Sequence, residues 1–184
     1  MQVPSSNSPS RQPKRLITDV ADWLHRMTPS ENDCSARYAV TLTFDVNRMH
    51  HRSWSGLLTN AEAVAFAKRD FATFRMQLDR AILNNAAKRH GRELSYVPVI
   101  EGQGKGERIH YHCVIVTPAR IGLLEMTKAV KQAWRRTYFG NQQVDVQPMR
   151  DDGWLGYIAK KAWTLRQDAV DFDNVRLGEC PKRC

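Results

Sequence analysis

The stretch from Val97 to Pro118 restricts the fold more than any other part of this sequence. Two runs rich in β-branched residues, VPVIE and HYHCVIVTP, flank the glycine-containing segment GQGKGERI. Runs of this length and composition around a glycine-rich turn predict two strands of a β-hairpin. Because successive side chains of a strand point to opposite faces, we expect His110 and His112 on one face and Tyr111 on the other.

The two histidines and a carboxylate on the preceding strand have the composition of a metal site. An antiparallel hairpin would bring Glu101 beside His110 and His112, and Glu107 in the hairpin loop is the alternative third ligand. Two imidazole nitrogens and one carboxylate, with coordination positions left for water or substrate, suit a catalytic divalent ion. Short His-x-His motifs also occur without a metal, and two partly exposed histidines are the alternative interpretation.

The charge of the chain favours a phosphate-rich partner. The 184 residues include 28 Lys and Arg against 19 Asp and Glu, which gives a formal net charge of +9 at pH 7. An excess of this size is typical of proteins that bind nucleic acid, although it also occurs in proteins that do not.

The length of the chain suits one domain with its own core. Residues 1–16 are rich in Ser, Pro, Asn and Gln and predict a flexible basic arm, followed by a single domain over residues 17–184. We find neither a signal-peptide pattern nor the roughly eighteen apolar residues that a membrane span requires, so a cytoplasmic location is expected.

Hydrophobic periodicity predicts the remaining elements. Alternating apolar residues indicate strands, apolar residues every three or four positions indicate helices, and Thr59 with Glu62 forms a capping box that begins the longest helix. A mixture of separate strands and helices of this kind indicates an α+β protein. The predicted elements are strands over residues 38–45 and 144–148 and helices over residues 18–27, 60–90 and 122–138.

Several polar and basic side chains are candidates for contact with DNA. Lys128, Lys131 and Arg135 fall on one face of a predicted helix, where a solvated surface explains them equally well. The others lie on the polar face of the first strand or in loops. The residues assigned to DNA contact are Thr41, Thr43, Arg52, Lys105, Arg108, Lys128, Lys131 and Arg135.

The segment DDGWLGYIAKKAW, near the C-terminus, contains a candidate nucleophile. In a helix, Tyr157 would lie opposite the apolar stripe, with Lys160 and Lys161 three and four residues later. Two ammonium groups favour the phenolate, which lowers the pKa of the tyrosine, and they can also hold phosphate oxygens during attack. The alternative is a surface tyrosine beside two solvated lysines.

Taken together, three motifs resemble those of the HUH endonucleases. They are the strand YAVTLTF, the His-Tyr-His of a later strand and the Tyr-x-x-Lys of a C-terminal helix, in this order between Arg37 and Trp163. With a single tyrosine in that helix, the chain is most similar to the one-tyrosine rolling-circle replication initiators of plasmids and filamentous phages. The sequence departs from the usual pattern at Tyr111, where an aliphatic residue is more common.

The resemblance implies a fold, a cofactor and a role for each motif. The fold would be a ferredoxin-like antiparallel sheet of four to five strands with helices packed on it. Glu101, His110 and His112 would hold Mg²⁺ or Mn²⁺, Tyr157 would attack the scissile phosphate, and Lys160 matches the lysine of the motif. The substrate would be single-stranded DNA at an origin or hairpin, joined to the protein as a 5′-phosphotyrosine, with a host helicase as a candidate partner.

Three alternatives to a replication initiator follow from the same residues. A one-tyrosine transposase or a mobilisation relaxase would use the same chemistry on a different DNA. A nucleic-acid-binding module without catalysis would need only the basic charge and the sheet. The histidine cluster could also hold a purely structural metal.

Overall fold

The protein is described by a computed structural model over residues 35–52, 59–102, 108–149, 153, 156 and 169–178. The predicted basic arm and the predicted helix over residues 18–27 lie outside these ranges. The elements are β1 (Ser35–Phe44), α1 (Val46–Arg52), α2 (Asn60–Leu83), α3 (Asn85–His90), β2 (Ser95–Glu101), β3 (His110–Pro118), α4 (Leu123–Trp134) and β4 (Gly140–Pro148).

The described strands form one antiparallel sheet in the order β2-β3-β1-β4. One helical connection joins β1 to β2 and another joins β3 to β4, while β2 and β3 form the predicted hairpin. This is the split βαβ arrangement of ferredoxin-like folds. The predicted α+β class and four-stranded sheet are therefore confirmed, and β4 lies at an edge, where Pro148 removes no hydrogen bond from a central strand.

One face of the sheet carries the main core. Alternate residues of β1 and β3 meet the apolar sides of α2 and α4 there, and the fully buried aromatic rings include Phe71, Phe74, Tyr111 and Trp134. Burial of rings of this size supplies much of the hydrophobic stabilisation of such a domain. The predicted aromatic stripe of α2 is thus part of the core.

The opposite face of the sheet, which carries His110 and His112, has a second and smaller apolar cluster. Its residues come from three strands and from the chain beyond them: Ala39, Val97, Val99, Val114, Val116, Met149, Ala169 and Val170. This face is therefore partly covered, and the histidines lie beside apolar residues.

Two helix ends differ from the predicted ones. The predicted helix over residues 60–90 is interrupted at Asn84, which adopts φ 49° and ψ −116°, and it resumes as α3 until Gly91 at φ 62°. Asparagine tolerates positive φ better than most residues, and glycine is the usual left-handed C-cap. The helix predicted to reach residue 138 ends at Trp134, where the Thr137 hydroxyl donates to the Trp134 carbonyl at 2.8 Å.

Residues 169–178, which we call the return segment, run along the outer edge of β2. The backbone amide of Ile100 donates to the Ala169 carbonyl at 2.8 Å, and Tyr96 and Arg176 exchange backbone hydrogen bonds of 2.8 and 3.0 Å. An exposed strand edge is a site for unwanted pairing, and the return segment covers this one. Of the apolar residues in the segment, Val170 is buried, whereas Phe172 is 63% exposed.

None of the helices in the described part of the chain has the length and apolar character needed to cross a membrane.

The stability of the fold is expected to depend on the ionisation of Asp79. This carboxylate is buried between α2 and β2, and burial raises its pKa from 3.8 to about 6, although it accepts hydrogen bonds from the Leu94 amide and the Tyr96 hydroxyl. Since the folded-state pKa is the higher one, the stabilisation is complete below pH 4 and is lost as the pH rises through 6. We predict that the advantage of Asp79→Asn grows by about 2 kcal/mol from pH 4.5 to 7.5. Urea denaturation at the two pH values measures this difference, and an unchanged difference would assign Asp79 an ordinary pKa.

Candidate metal centre

The hairpin brings Glu101, His110 and His112 together. In the register of β2 and β3, Glu101 is opposite His110 and Val99 is opposite His112. Oε2 of Glu101 is 3.6 Å from Nε2 of His110 and 3.8 Å from Nε2 of His112. One ligand atom from each residue lies within 4.8 Å of the other two. The predicted meeting of these three side chains is confirmed, and we call them the metal centre.

The outer nitrogen of each imidazole is held by a neighbouring strand or loop. Nδ1 of His110 donates to the Arg108 backbone carbonyl at 2.9 Å, and because a carbonyl only accepts, the neutral ring has its lone pair on Nε2. Nδ1 of His112 is 3.0 Å from Oγ1 of Thr41, a contact that fits the same tautomer. Partners of this kind orient metal-binding histidines, and both Nε2 atoms face Glu101.

The donor set and its burial fit a divalent ion. The Glu101 side chain is 7% exposed, and those of His110 and His112 are 27% and 17% exposed. A carboxylate buried to this extent beside two neutral imidazoles costs free energy that a cation among the three would offset. The partial exposure of the histidines leaves a path for water or substrate. A carboxylate and two imidazoles suit Mg²⁺ or Mn²⁺ with open positions.

The contact between Thr41 and His112 provides a test of the metal centre. Thr41→Val keeps the shape of the side chain but removes the oxygen that orients the His112 ring. Loss of such a partner typically costs about 10-fold to 100-fold in metal affinity, and we expect a loss in that range for Mn²⁺. Isothermal titration with Mn²⁺ measures it. Thr43→Val is the control, because the Thr43 hydroxyl donates to the Gln143 backbone carbonyl at 2.8 Å. Equal affinities for the two variants would contradict the assignment.

The described chain enters and leaves the predicted tyrosine segment on the face that carries the metal centre. Met149 and Ala169, which flank residues 150–168, both belong to the apolar cluster of that face. The Met149 amide donates to the Arg37 carbonyl of β1 at 2.9 Å, and the Ala169 carbonyl accepts from Ile100, the residue before Glu101. Tyr157, Lys160 and Lys161 themselves lie outside the described residues.

The residues predicted to contact DNA fall in different parts of the structure. Thr41 and Thr43 are partly buried on β1, and Arg108 is exposed beside the metal centre. Arg52 ends α1, but its side chain is not described, and Lys105 and Glu107 lie outside the described residues.

The basic stripe of α4, formed by Lys128, Lys131 and Arg135, is exposed on the other side of the molecule. With Gln132 and Arg136 it lines a groove of about 390 Å³. The opposite side of α4 is buried in the main core, on the sheet face away from the histidines. Since a helix is about 10 Å across, the stripe and the metal centre are separated by more than that distance.

Sequence reasoning missed the residues that hold the metal centre from outside. Thr41 was assigned to DNA, and the Arg108 carbonyl and the buried Asp171 were not singled out. Thr41 lies opposite His112 in the register of β1 and β3, which are far apart in sequence, so no local pattern indicates the contact.

A known protein family matches most of the chain. The family is described as Replication-associated protein, of the ORF2 type, and it matches residues 37–164, which is more than half of the sequence. The matched range begins in β1, includes the metal centre and extends beyond Tyr157. No curated protein and no solved structure matches the chain.

Proposed function

The chain belongs to the replication-associated protein family of the ORF2 type, and on that premise we propose that it nicks and rejoins single-stranded DNA to initiate rolling-circle replication. The observation that carries this proposal is the metal centre, in which a buried carboxylate faces Nε2 of two histidines oriented through their Nδ1 atoms. A protein that only bound DNA would have no need of oriented imidazoles.

The reaction we propose is a transesterification at one phosphodiester. The Tyr157 oxygen attacks the phosphorus, a bond from the tyrosine oxygen to phosphorus forms, and the bond to the 3′-oxygen breaks. The tyrosine loses its proton and the departing 3′-oxygen gains one, so the products are a 5′-phosphotyrosine and a 3′-hydroxyl. Because one phosphoester replaces another, the 3′-hydroxyl can attack in turn and restore the strand.

The residues of the chain divide this work. Glu101, His110 and His112 would hold Mg²⁺ or Mn²⁺, which when bound supplies Lewis-acid polarisation of a phosphate oxygen. Lys160 and Lys161 would stabilise the phenolate of Tyr157 and hold the other phosphate oxygens. The anchoring of Met149 and Ala169 on the metal-bearing face supports an approach of the intervening tyrosine to the metal centre.

The proposed substrate is single-stranded DNA at an origin or hairpin, with a host helicase as a candidate partner. Arg52, Lys105 and Arg108 belong to the end of α1 and to the hairpin, and we propose that they contact the DNA near the scissile phosphate. Thr43, on the same face as the metal centre, would do the same. The cytoplasmic location remains a prediction.

The basic stripe of α4 is proposed to contact phosphates away from the cleavage site, because it lies on the far side of the sheet. Replacing Lys128, Lys131 and Arg135 with Gln should reduce the log–log salt slope of DNA binding by up to about two units. The cleavage rate at saturating DNA should stay within about twofold, since the stripe is remote from the metal centre. Fluorescence anisotropy over a series of salt concentrations measures the slope.

A charge-matched control for the stripe is available on another surface. Lys88, Arg89 and Arg92 are exposed or partly exposed at and after α3, and their replacement with Gln removes the same charge. If both triple variants have equal slopes, the effect is one of net charge, and the stripe belongs to a solvated face.

Formation of a covalent adduct tests the proposed function. Single-stranded oligonucleotides that tile the DNA carrying the gene are labelled at the 3′ end and incubated with the protein and Mn²⁺. The label should migrate with the denatured protein, whereas a 5′ label should appear in a shorter free strand that a polymerase can extend. Binding without an adduct would favour a non-catalytic module or a structural metal. The DNA that is cleaved distinguishes an initiator from a transposase or relaxase.

A further inference from the structure

The ring of Tyr111, between the two histidines of β3, is buried on the other face of the sheet. It is fully inaccessible and packs against the ring of Phe71, with 4.6 Å between centroids. Its hydroxyl donates to Oδ2 of Asp171 at 2.7 Å. An aliphatic residue would fill part of this space but could not bind the carboxylate.

Asp171 connects three parts of the fold at one buried carboxylate. Besides the Tyr111 hydroxyl, its Oδ2 accepts from Nδ2 of Asn174 at 2.7 Å, and Oδ1 is 3.6 Å from Nζ of Lys68 on α2. Nδ2 of Asn174 also donates to the Lys68 carbonyl at 3.0 Å. We call these four residues the Asp171 network. A carboxylate that is 0% exposed needs such partners, so loss of one weakens the whole arrangement.

The network holds the return segment where it meets the face of the metal centre. The residue before Asp171 is Val170, which packs in the apolar cluster of that face with Val99. The Asp171 amide donates to the Pro98 carbonyl at 3.0 Å, and Ala169 is bonded to Ile100. Asp171 thus fixes the return segment against β2 and β3, the two strands that contribute Glu101, His110 and His112.

We propose that Asp171 is a positioning residue for the strand-transfer reaction. By holding the return segment to Tyr111 and Lys68, it fixes the point at which the chain re-enters the sheet twelve residues after Tyr157. This inference rests on the proposed function. A displacement of about 1 Å between reacting groups can cost on the order of 100-fold in rate, so a small shift of this anchor has a large kinetic effect.

The experiment uses two tyrosine variants that lose the same kind of hydrogen bond. Tyr111→Phe removes the bond to Asp171, and Tyr96→Phe removes a bond of 2.8 Å to Asp79 in the same core. Three quantities are measured for each: the adduct-formation rate at saturating DNA and Mn²⁺, the Mn²⁺ affinity and the melting temperature. Only the rate reports positioning, because a merely structural role would lower both melting temperatures and leave both rates alike.

We expect Tyr111→Phe to slow adduct formation about tenfold or more while its Mn²⁺ affinity stays within about threefold of the parent. Tyr96→Phe should retain the parent rate within about twofold. Asp171→Asn, which keeps an acceptor for Tyr111, should be faster than Asp171→Ala. Combining Tyr111→Phe with Asp171→Ala should slow the rate no further than the slower single variant, since both remove one contact.

Equal rates for Tyr111→Phe and Tyr96→Phe would overturn the positioning role and leave the proposed function intact. A parent protein that forms no adduct with any tiled oligonucleotide would overturn the proposed function, and this inference with it. If Tyr111→Phe does not fold, Asn174→Ala removes a donor to the same oxygen from within the return segment. The same reduction in rate is expected for it, and an unchanged rate would overturn the inference.

Discussion

Replacing Tyr157 with phenylalanine is expected to abolish the covalent adduct, with a loss of more than about 1,000-fold, while DNA affinity stays within about threefold. The ring and its packing are retained, and only the attacking oxygen is removed. Denaturing gels with a 3′-labelled oligonucleotide measure the adduct, and fluorescence anisotropy measures the affinity.

The control for this variant is Tyr138→Phe, because Tyr138 is a 54% exposed tyrosine just after the end of α4. It should form the adduct at the parent rate. Adduct that persists in Tyr157→Phe would show that another residue is the nucleophile. Tyr111 is a poor candidate for that role, since its ring is fully buried and its hydroxyl is bonded to Asp171.

Replacing His112 with alanine is expected to reduce cleavage by at least about 100-fold and to remove measurable Mn²⁺ binding. The loss takes one of two imidazole ligands from a centre in which Glu101 is already buried, so the remaining carboxylate has one nitrogen to share a cation with. His110→Ala and treatment of the parent protein with EDTA should have the same effect. Cleavage assays and isothermal titration give the two quantities.

His90→Ala is the matched control for the ligand variants, since His90 is exposed at the end of α3 and outside the cluster. It should bind Mn²⁺ and cleave DNA as the parent does. If the ligand variants cleave normally in the presence of chelator, the cluster has no catalytic metal and the histidines are structural.

The local features of the site could be predicted because they depend on the two-residue period of a strand. That period places His110 and His112 on one face and Tyr111 on the other, and the short hairpin brings Glu101 to the same face as the histidines. The capping box at Thr59 and the stop at Gly91 are equally local, and both are confirmed.

Features that join distant parts of the chain could not be predicted. The contact of Thr41 with His112 depends on the register of β1 and β3, and the bond of Tyr111 to Asp171 depends on where the return segment lies. Asn84 interrupts a helix whose apolar pattern continues through it, so periodicity gave no signal for the break. The basic stripe of α4 was correctly found on one helical face, but only the packing of the helix shows that this face is turned away from the metal centre.

Mapping of the adduct by mass spectrometry tests the central claim most directly, namely that the metal centre activates a phosphodiester for attack by Tyr157. The parent protein is incubated with a cleaved oligonucleotide and Mn²⁺, digested with nuclease and trypsin, and compared with an EDTA-treated sample and with His112→Ala. We predict a nucleotide 5′-phosphate on the peptide DDGWLGYIAK, at its single tyrosine, only in the parent protein with Mn²⁺. A nucleotide on any other residue, or the same adduct formed in EDTA, would contradict the account.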